Sequence, residues 1–355
     1  MDKMPFANAD LPPTPPASQL ALQFSRPNDK KPFAGDISAI VRVGRTIFAA
    51  CDEKASVERL VASQNGDAYA DHLTHVVGVL FGLAPTASPE IDIEGLAIDD
   101  GWLWITASHS LARKEPKKKN GLTAFAGAGD WNPRRGFIGC VPLQDEGDGV
   151  WTLPVPGTAK AAKARRLPLD SPDGGVIRDV LSRDPAIAPH VAFPSKENGL
   201  DIEGIAVRGR RLLLGLRWPV IGGHAFILDL KVRRGDTWLE IEKEYRLYAV
   251  NCGGLGIRDL AFDGDRLLVL TGAAQKLESI QRILEIDPLP KKSGIVETDN
   301  VRCVLTLPVR AWGDHAESMT LLDGNRVVVA HDSPAVDRFD EDADRLIVDV
   351  FDLRI

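Results

Sequence analysis

Asp92-Ile93-Glu94-Gly95-Leu96-Ala97 returns almost letter for letter as Asp201-Ile202-Glu203-Gly204-Ile205-Ala206. Three looser copies accompany it: Asp36-Ile37-Ser38-Ala39-Ile40, Ile257-Arg258-Asp259-Leu260-Ala261 and His315-Ala316-Glu317-Ser318-Met319. Aligning the third residue of each gives positions 38, 94, 203, 259 and 317, spaced by 56, 109, 56 and 58 residues. A period of this length means repeated supersecondary units, and the four-stranded blade of a β-propeller fits it best. Shortly after each phrase comes a turn rich in Gly, Asp and Arg, then an apolar run: Thr46 to Ala50, Trp102 to Ala107, Leu212 to Leu216, Leu267 to Leu270, Val327 to Ala330. Such runs read as buried strands joined in hairpins. Two more strand-like stretches follow, Ala225 to Val232 and Leu239 to Tyr248 in the third unit, Arg282 to Ile286 and Val301 to Leu307 in the fourth.

The last unit is one strand short, because the chain ends after Arg345 to Ile355, while Leu20 to Phe24 precedes the first repeat with no unit of its own. A propeller removes its exposed edge when an N-terminal strand completes the last blade. The expectation is therefore an all-β chain: a β-propeller of five four-stranded blades closed by an N-terminal strand. Six blades are the alternative, since 109 residues is close to two periods. Against it, residues 155–200 hold six prolines and a helix-like stretch, Val176 to Leu181, but no hairpin. Residues 1–19, with five prolines, read as a flexible tail, and 20–355 as a single domain with insertions at 111–136 and 155–200.

No apolar run reaches the roughly 18 residues of a membrane span, and no signal-peptide pattern opens the chain, so a cytoplasmic location without membrane contact is expected. Cys51, Cys140, Cys252 and Cys303 form no CxxC pair and read as buried thiols.

In a propeller the start of a blade's first strand and the end of its second share a face. The starts supply Asp36, Asp92, Glu94, Asp201, Glu203, Arg258, Asp259, His315 and Glu317; the second-strand ends supply Asp52, Glu53, His109, Arg217, His331 and Asp332. These fifteen ionisable side chains crowd one mouth. Glu94, Glu203, Asp259 and Glu317 read as a metal set, because like charges on one axis need a cation or an intervening arginine, and hard oxygen ligands suit Ca²⁺. The same carboxylates can instead accept hydrogen bonds from the neighbouring blade's backbone and tie the ring without any ligand. His109, His331 and Glu53 are the candidate catalytic groups, with the two histidines readable as general bases, ligands or plain hydrogen-bond donors.

Between Arg113 and Arg166 lie eleven Lys or Arg against five acids, so this segment is +6 and the remainder −13 of a net −7. A basic flap over an acidic mouth steers an anionic ligand, first to Lys117, Lys118 and Lys119, then to Arg217 and Arg258, whose planar donors match a phosphate or carboxylate. The flap also reads as a solvated loop. Nucleic acid is not an expected partner, since the net charge is negative and the basic run lacks interleaved aromatics. Walker, HExxH and GxSxG motifs do not occur.

The phrases at 92 to 97 and 201 to 206, with Gly215-Leu216-Arg217-Trp218-Pro219 and Gly256-Ile257-Arg258-Asp259, resemble the bacterial domain of unknown function 3616 over roughly residues 30–355. The Glu-Gly-Leu-Ala phrase also resembles the phytase-like esterase propellers and, more distantly, the calcium-dependent gluconolactonase propellers. The resemblance implies a propeller of metal-assisted hydrolase ancestry, and the nearest of these families carries no assigned activity. Ser38-Ala39, Asp259-Leu260 and Glu317-Ser318 depart from the Glu-Gly pattern, which favours an asymmetric site. Two functions follow: a mouth that binds a small anionic molecule and hydrolyses a phosphoester or lactone with Ca²⁺, or a scaffold that presents its flap and rim to a protein partner.

Overall fold

The computed structural model describes residues 5–25, 32–86, 90–113, 129–169, 175–274, 278–310, 314–323 and 325–353. The fold is all-β, built from five groups of strands that each begin at one copy of the repeated phrase. Unit one contains Ile37–Val43, Thr46–Cys51, Ser56–Ala62 and Ala68–Val76. Unit two contains Ile93–Asp99, Trp102–Ala107, Ile138–Pro142 and the two-residue strand Arg165–Arg166. Unit three contains Asp201–Arg208, Arg211–Ile221, His224–Arg234 and Leu239–Asn251. Unit four contains Gly256–Asp263, Arg266–Gly272, Arg282–Ile286 and Val301–Thr306. Unit five contains His315–Leu322, Arg326–Asp332 and Arg345–Asp352.

Ser18–Gln23 supplies the strand that unit five lacks. It runs antiparallel to Arg345–Asp352, from Ser18 against Val350 to Gln23 against Arg345, and touches Ala68 and Tyr69 of unit one on its other side. Units one and five are thereby joined in one nine-stranded sheet. The first strands pack side by side in a circuit that runs from unit one through two, three, four and five and back to one.

The repeated phrase is explained by that circuit. Gly95 and Gly204 sit where the next unit's first strand comes closest: a Cβ on Gly95 would stand 2.8 Å from Ile205 Cγ2, and one on Gly204 2.9 Å from Leu260 Cγ. The residue before each glycine is a β-bulge, skipped in the ladder with the second strand and so freed to point elsewhere. The same skip falls at Ser38, Arg258 and Glu317. The fourth copy is therefore registered one residue earlier than its acid suggested, with Arg258 rather than Asp259 equivalent to Glu94.

Polar side chains tie neighbouring units. Ser38 Oγ donates to Ile93 O at 2.6 Å between units one and two, and Ile202 N donates to Ser108 O at 2.8 Å between two and three. Between four and five, Asp259 Oδ2 accepts from Ser318 Oγ and Met319 N, both at 2.8 Å, and the Gln281 amide brackets the backbone of Ala316. Ser318 and Thr320 then accept from Ile40 N and Arg42 N, each at 2.8 Å, closing five onto one.

The Pro-rich segment before Ser18 lies along the outer edge of unit four. Ala7 N bonds Val301 O, Cys303 N bonds Ala7 O, and Thr14 N bonds Thr306 O. Phe6 is 1% exposed under the Arg282 guanidinium. An apolar anchor and backbone donors, which the proline count concealed, hold this stretch in place. Val176–Leu181 is helical as its pattern indicates, and the insertion around it still gives Arg165–Arg166 to the sheet of unit two. The four cysteines are free and buried. No helix among the described residues is long and apolar enough to cross a membrane.

Candidate functional site

The bulge residues and the second-strand ends meet at one end of the circuit, and arginine organises them. Arg217, at the end of unit three's second strand, holds Asp201 Oδ2 with Nη2 and Glu203 Oε1 with Nη1, both at 2.5 Å. Arg258 holds Glu203 Oε2 at 3.0 Å and, on its other side, Glu317 Oε1. On unit two, Arg135 pairs with Asp92 Oδ2 at 2.8 Å, and Ser108 Oγ donates to the same carboxylate. The expected intervening arginine is thus present, and it leaves the two inner guanidiniums neutralised by protein carboxylates before any ligand arrives.

The four acids read as a metal set divide. Asp259 spends its oxygens on Ser318, Met319 and its own neighbour Leu260 N, so it is a tie between units; burial pushes it up to about 8. Glu203 and Glu317 are engaged by arginine. Among the described residues no group of three His, Cys, Asp or Glu is placed to hold a metal ion. Three of the four do not fit Ca²⁺, because the lone pairs of Glu203, Glu317 and Asp259 face guanidinium, hydroxyl and amide donors, and Glu94 alone is no calcium site.

Glu94 and Asp52 differ from the rest. Among the described residues neither makes an ion pair, and the Asp52 carboxyl is bonded only by the backbone of its neighbour Glu53. Burial raises Glu94 well above the ordinary carboxyl range, and the charges of Glu203, Asp92, Asp52 and Asp201 add to this. Burial raises Asp52 to about 7, with further repulsion from Asp92, Asp332 and Glu53. The neighbouring Glu53 is exposed, so the inward carboxyl at this strand end is Asp52. Adjacent residues on a strand face opposite ways, which the sequence alone does not orient.

The two histidines are not equivalent. Ala107 pairs with Ile93 but His331 with Ala316, so His331 corresponds to Ala107, and His109 to Ser333. His109 and Ser333 share a left-handed backbone, φ 54 and 48. His109 is fully buried, its Nδ1 unpartnered, and burial with the nearby Arg178 lowers it to about 3. His331 is lowered to about 4 by burial and by Arg338, which is chelated by Asp349 and also bonds Asp314. Neither lines the cavity described next.

That cavity, of about 400 Å³, opens between units three, four and five. Arg217, Arg258, Glu317, His315, Asp332 and Ser333 line it from the strand ends, Ala273, Ala274, Ser279 and Gln281 from unit four, and Lys196 from the 155–200 insertion. Lys196 makes no hydrogen bond or ion pair among the described residues, and Arg217 Nε is buried without a partner. Lys117, Lys118 and Lys119 lie outside the described residues. Trp131 is packed under Arg178, 4.9 Å from the ring centre, and Trp218 Nε1 donates to Ala274 O at 2.9 Å beside the cavity.

These shifts set a pH dependence. Asp52, Asp201 and Asp259, raised to about 7, 6 and 8, keep protons in the folded state that the unfolded chain has released. His109 and His331 act oppositely, but only below their ordinary value of 6.5. Above it the carboxyls alone remain, so stability falls as pH rises from 6.5 to about 8. The melting temperature is expected to be lower at the upper limit, and Asp52→Asn to narrow the difference. A flat or rising profile in differential scanning calorimetry contradicts the protonated carboxyls.

A family model described as "Protein of unknown function (DUF3616)" matches residues 36–349, in accord with the resemblance carried by the repeated phrases. Among curated proteins none matches. Similar solved structures include the PQQ-bound aldose sugar dehydrogenase of Streptomyces coelicolor, 11% identical, covering 95% of this chain and 100% of that one at a TM-score of 0.35. A Trypanosoma rangeli sialidase mutant displaying trans-sialidase activity is 11% identical, covering 96% and 60% at 0.37. Apo AztD from Citrobacter koseri is 12% identical, covering 83% and 66% at 0.31. Similarities of this size decide neither fold detail nor chemistry.

Proposed function

Because the chain belongs to the family described as "Protein of unknown function (DUF3616)", whose description assigns no activity, we propose its role from the site itself: a five-bladed β-propeller whose mouth binds a small organic molecule bearing an anionic group. The blade count is supported by the five strand groups and the circuit of first strands. Among its described residues, the segment 155–200, where a sixth blade would lie, gives only Arg165–Arg166 to a sheet.

The observation that carries the ligand reading is the unpaired ammonium of Lys196 in the cavity that Arg217 and Arg258 also line. An incoming anion gives Lys196 the partner that the described residues do not. Asp52 adds a proton-exchanging carboxyl close enough to Asp332 for their charges to repel. Hydrolysis of a phosphoester or lactone needs a proton-exchanging group, and its coupling to Asp332, which lines the cavity, makes Asp52 the candidate. Calcium is left out of the proposal, since Glu203, Asp259 and Glu317 are engaged elsewhere and Glu94 alone cannot supply the roughly six to eight oxygens it takes.

Thermal shift against phosphoesters, sugar acids and lactones tests this reading. A ligand present at about a hundred times its Kd stabilises by roughly 2.7 kcal/mol, which is several degrees for a chain of this size. Lys196→Met is expected to weaken the best anion about tenfold, and the loss to shrink at high salt. Asp52→Asn is expected to leave binding intact and to remove any turnover. If no anion shifts the melt and a protein partner co-purifies, the site reading fails and the scaffold reading takes its place.

A further inference from the structure

We infer that the ligand of this mouth is a zwitterion, with an ammonium group as well as an anionic one on an apolar body, rather than a dianion or a polyol. The inference rests on the binding-site reading above and narrows its chemistry. It comes from counting which charges around the cavity are already paired.

Arg217 and Arg258 are shared among Asp201, Glu203 and Glu317, so two cations meet three carboxylates. This inner cluster is no attractor for a doubly charged anion. Two lining charges are left over. Lys196, on the insertion beside unit three, has no hydrogen bond or ion pair among the described residues. Asp332, at the end of unit five's second strand, bonds only Ser333 Oγ at 3.2 Å and pairs with no cation among the described residues. Its cross-strand neighbour His315 also lines the cavity and forms no ion pair with it. One cation and one carboxylate without a salt bridge among the described residues thus line the same cavity from different units, the carboxylate feeling the Arg258 charge at longer range. A molecule whose carboxylate meets Lys196 on the Arg217 side of the cavity, and whose ammonium meets Asp332, satisfies both at once.

Apolar surface also lines the cavity. Ala273 and Ala274 share the unit-four wall with Ser279 and Gln281, and the Trp218 indole bonds Ala274 O. In unit four, between the lining residues Ser279 and Gln281, Ile280 is 42% exposed, and Val309 farther along the chain is 50% exposed. The two are brought together because Leu307 N bonds Gln281 O and Thr306 pairs with Arg282, so the chain on either side of them runs antiparallel. Hydroxyl-rich ligands would leave these surfaces wet, whereas an aliphatic or aromatic body covers them.

The test uses matched probes measured by thermal shift and calorimetry on the full chain: leucine and phenylalanine, each with its deaminated acid and its amide. Each amino acid is expected to bind at least tenfold more tightly than either relative. Asp332→Asn is expected to bring the amino acid down to its deaminated acid while leaving that acid's affinity unchanged. Lys196→Met is expected to weaken the amino acid and the acid but not the amide. Unliganded melts of both variants, expected within a few degrees of the parent, establish that the folds are intact. Equal binding of the amino acid and its deaminated acid overturns the inference. So does silence from both amino acids when sugar acids or phosphoesters stabilise the protein, which leaves the wider site reading standing. Silence from every compound in both panels removes that reading as well.

Discussion

Arg258→Met is expected to destabilise the protein by about 3–5 kcal/mol in urea unfolding, the range for breaking a buried ion pair from one side. Arg258 is 5% exposed and is the one guanidinium that spans Glu203 of unit three and Glu317 of unit five from its own place in unit four. Removing it leaves Glu203, 3% exposed, with Arg217 alone and strips Glu317 of its partner. Two companions identify the cause. Arg258→Lys keeps a charge but loses the two-sided fork, and is expected to fall between the parent and Arg258→Met. Adding Glu203→Gln to Arg258→Met is expected to recover part of the loss, because one uncompensated charge disappears. A near-neutral Arg258→Met would show that the inner cluster is solvated rather than buried.

Removal of residues 1–25 is expected to abolish cooperative folding. The strand Ser18–Gln23 and the residue after it bury Leu20, Leu22 and Phe24 at 8%, 0% and 3% exposure. At about 1.5–3 kcal/mol for each buried side chain, their loss approaches the roughly 5–15 kcal/mol that holds a whole domain together. It also bares the edges of Arg345–Asp352 and Ala68–Val76, which invites aggregation. Removal of residues 1–12 is a milder test. It spares the closing strand and deletes Phe6 and the backbone bonds of Ala7 to unit four, so the melting temperature is expected to drop by several degrees without loss of cooperativity. If both truncated proteins melt like the parent, the closure at Ser18–Gln23 contributes nothing.

Much of the architecture was legible because the repeat reports a packing need. Glycine follows Glu94 and Glu203 since the adjacent strand leaves no room for a Cβ, and the apolar runs after each turn became the second strands with boundaries shifted by a few residues. The fourth copy was misaligned because its acid was taken as the anchor. The isoleucine that precedes Glu94, Glu203 and Arg258 alike carries the register, and aligning on it would have placed Arg258 correctly. Other features of the site had no linear signal. Lys196 is a lone lysine in an insertion, and only the fold brings it to the cavity wall. Asp52 and Glu53 are neighbours of like chemistry, separated only by which way the strand end turns. His109 and His331 looked equivalent because both end a strand, yet the ladders set them two positions apart.

The central claim is that the mouth holds an anion-bearing molecule against Lys196 and Arg217. The most direct measurement is a crystal structure of the protein soaked with whichever compound of the two panels stabilises it most. That compound is expected inside the cavity between units three, four and five, its anionic group within hydrogen-bond reach of Lys196 Nζ and beside the Arg217 side chain. A stabilising compound found elsewhere on the surface, or seated in the cavity with its anionic group turned away from both residues, would contradict it.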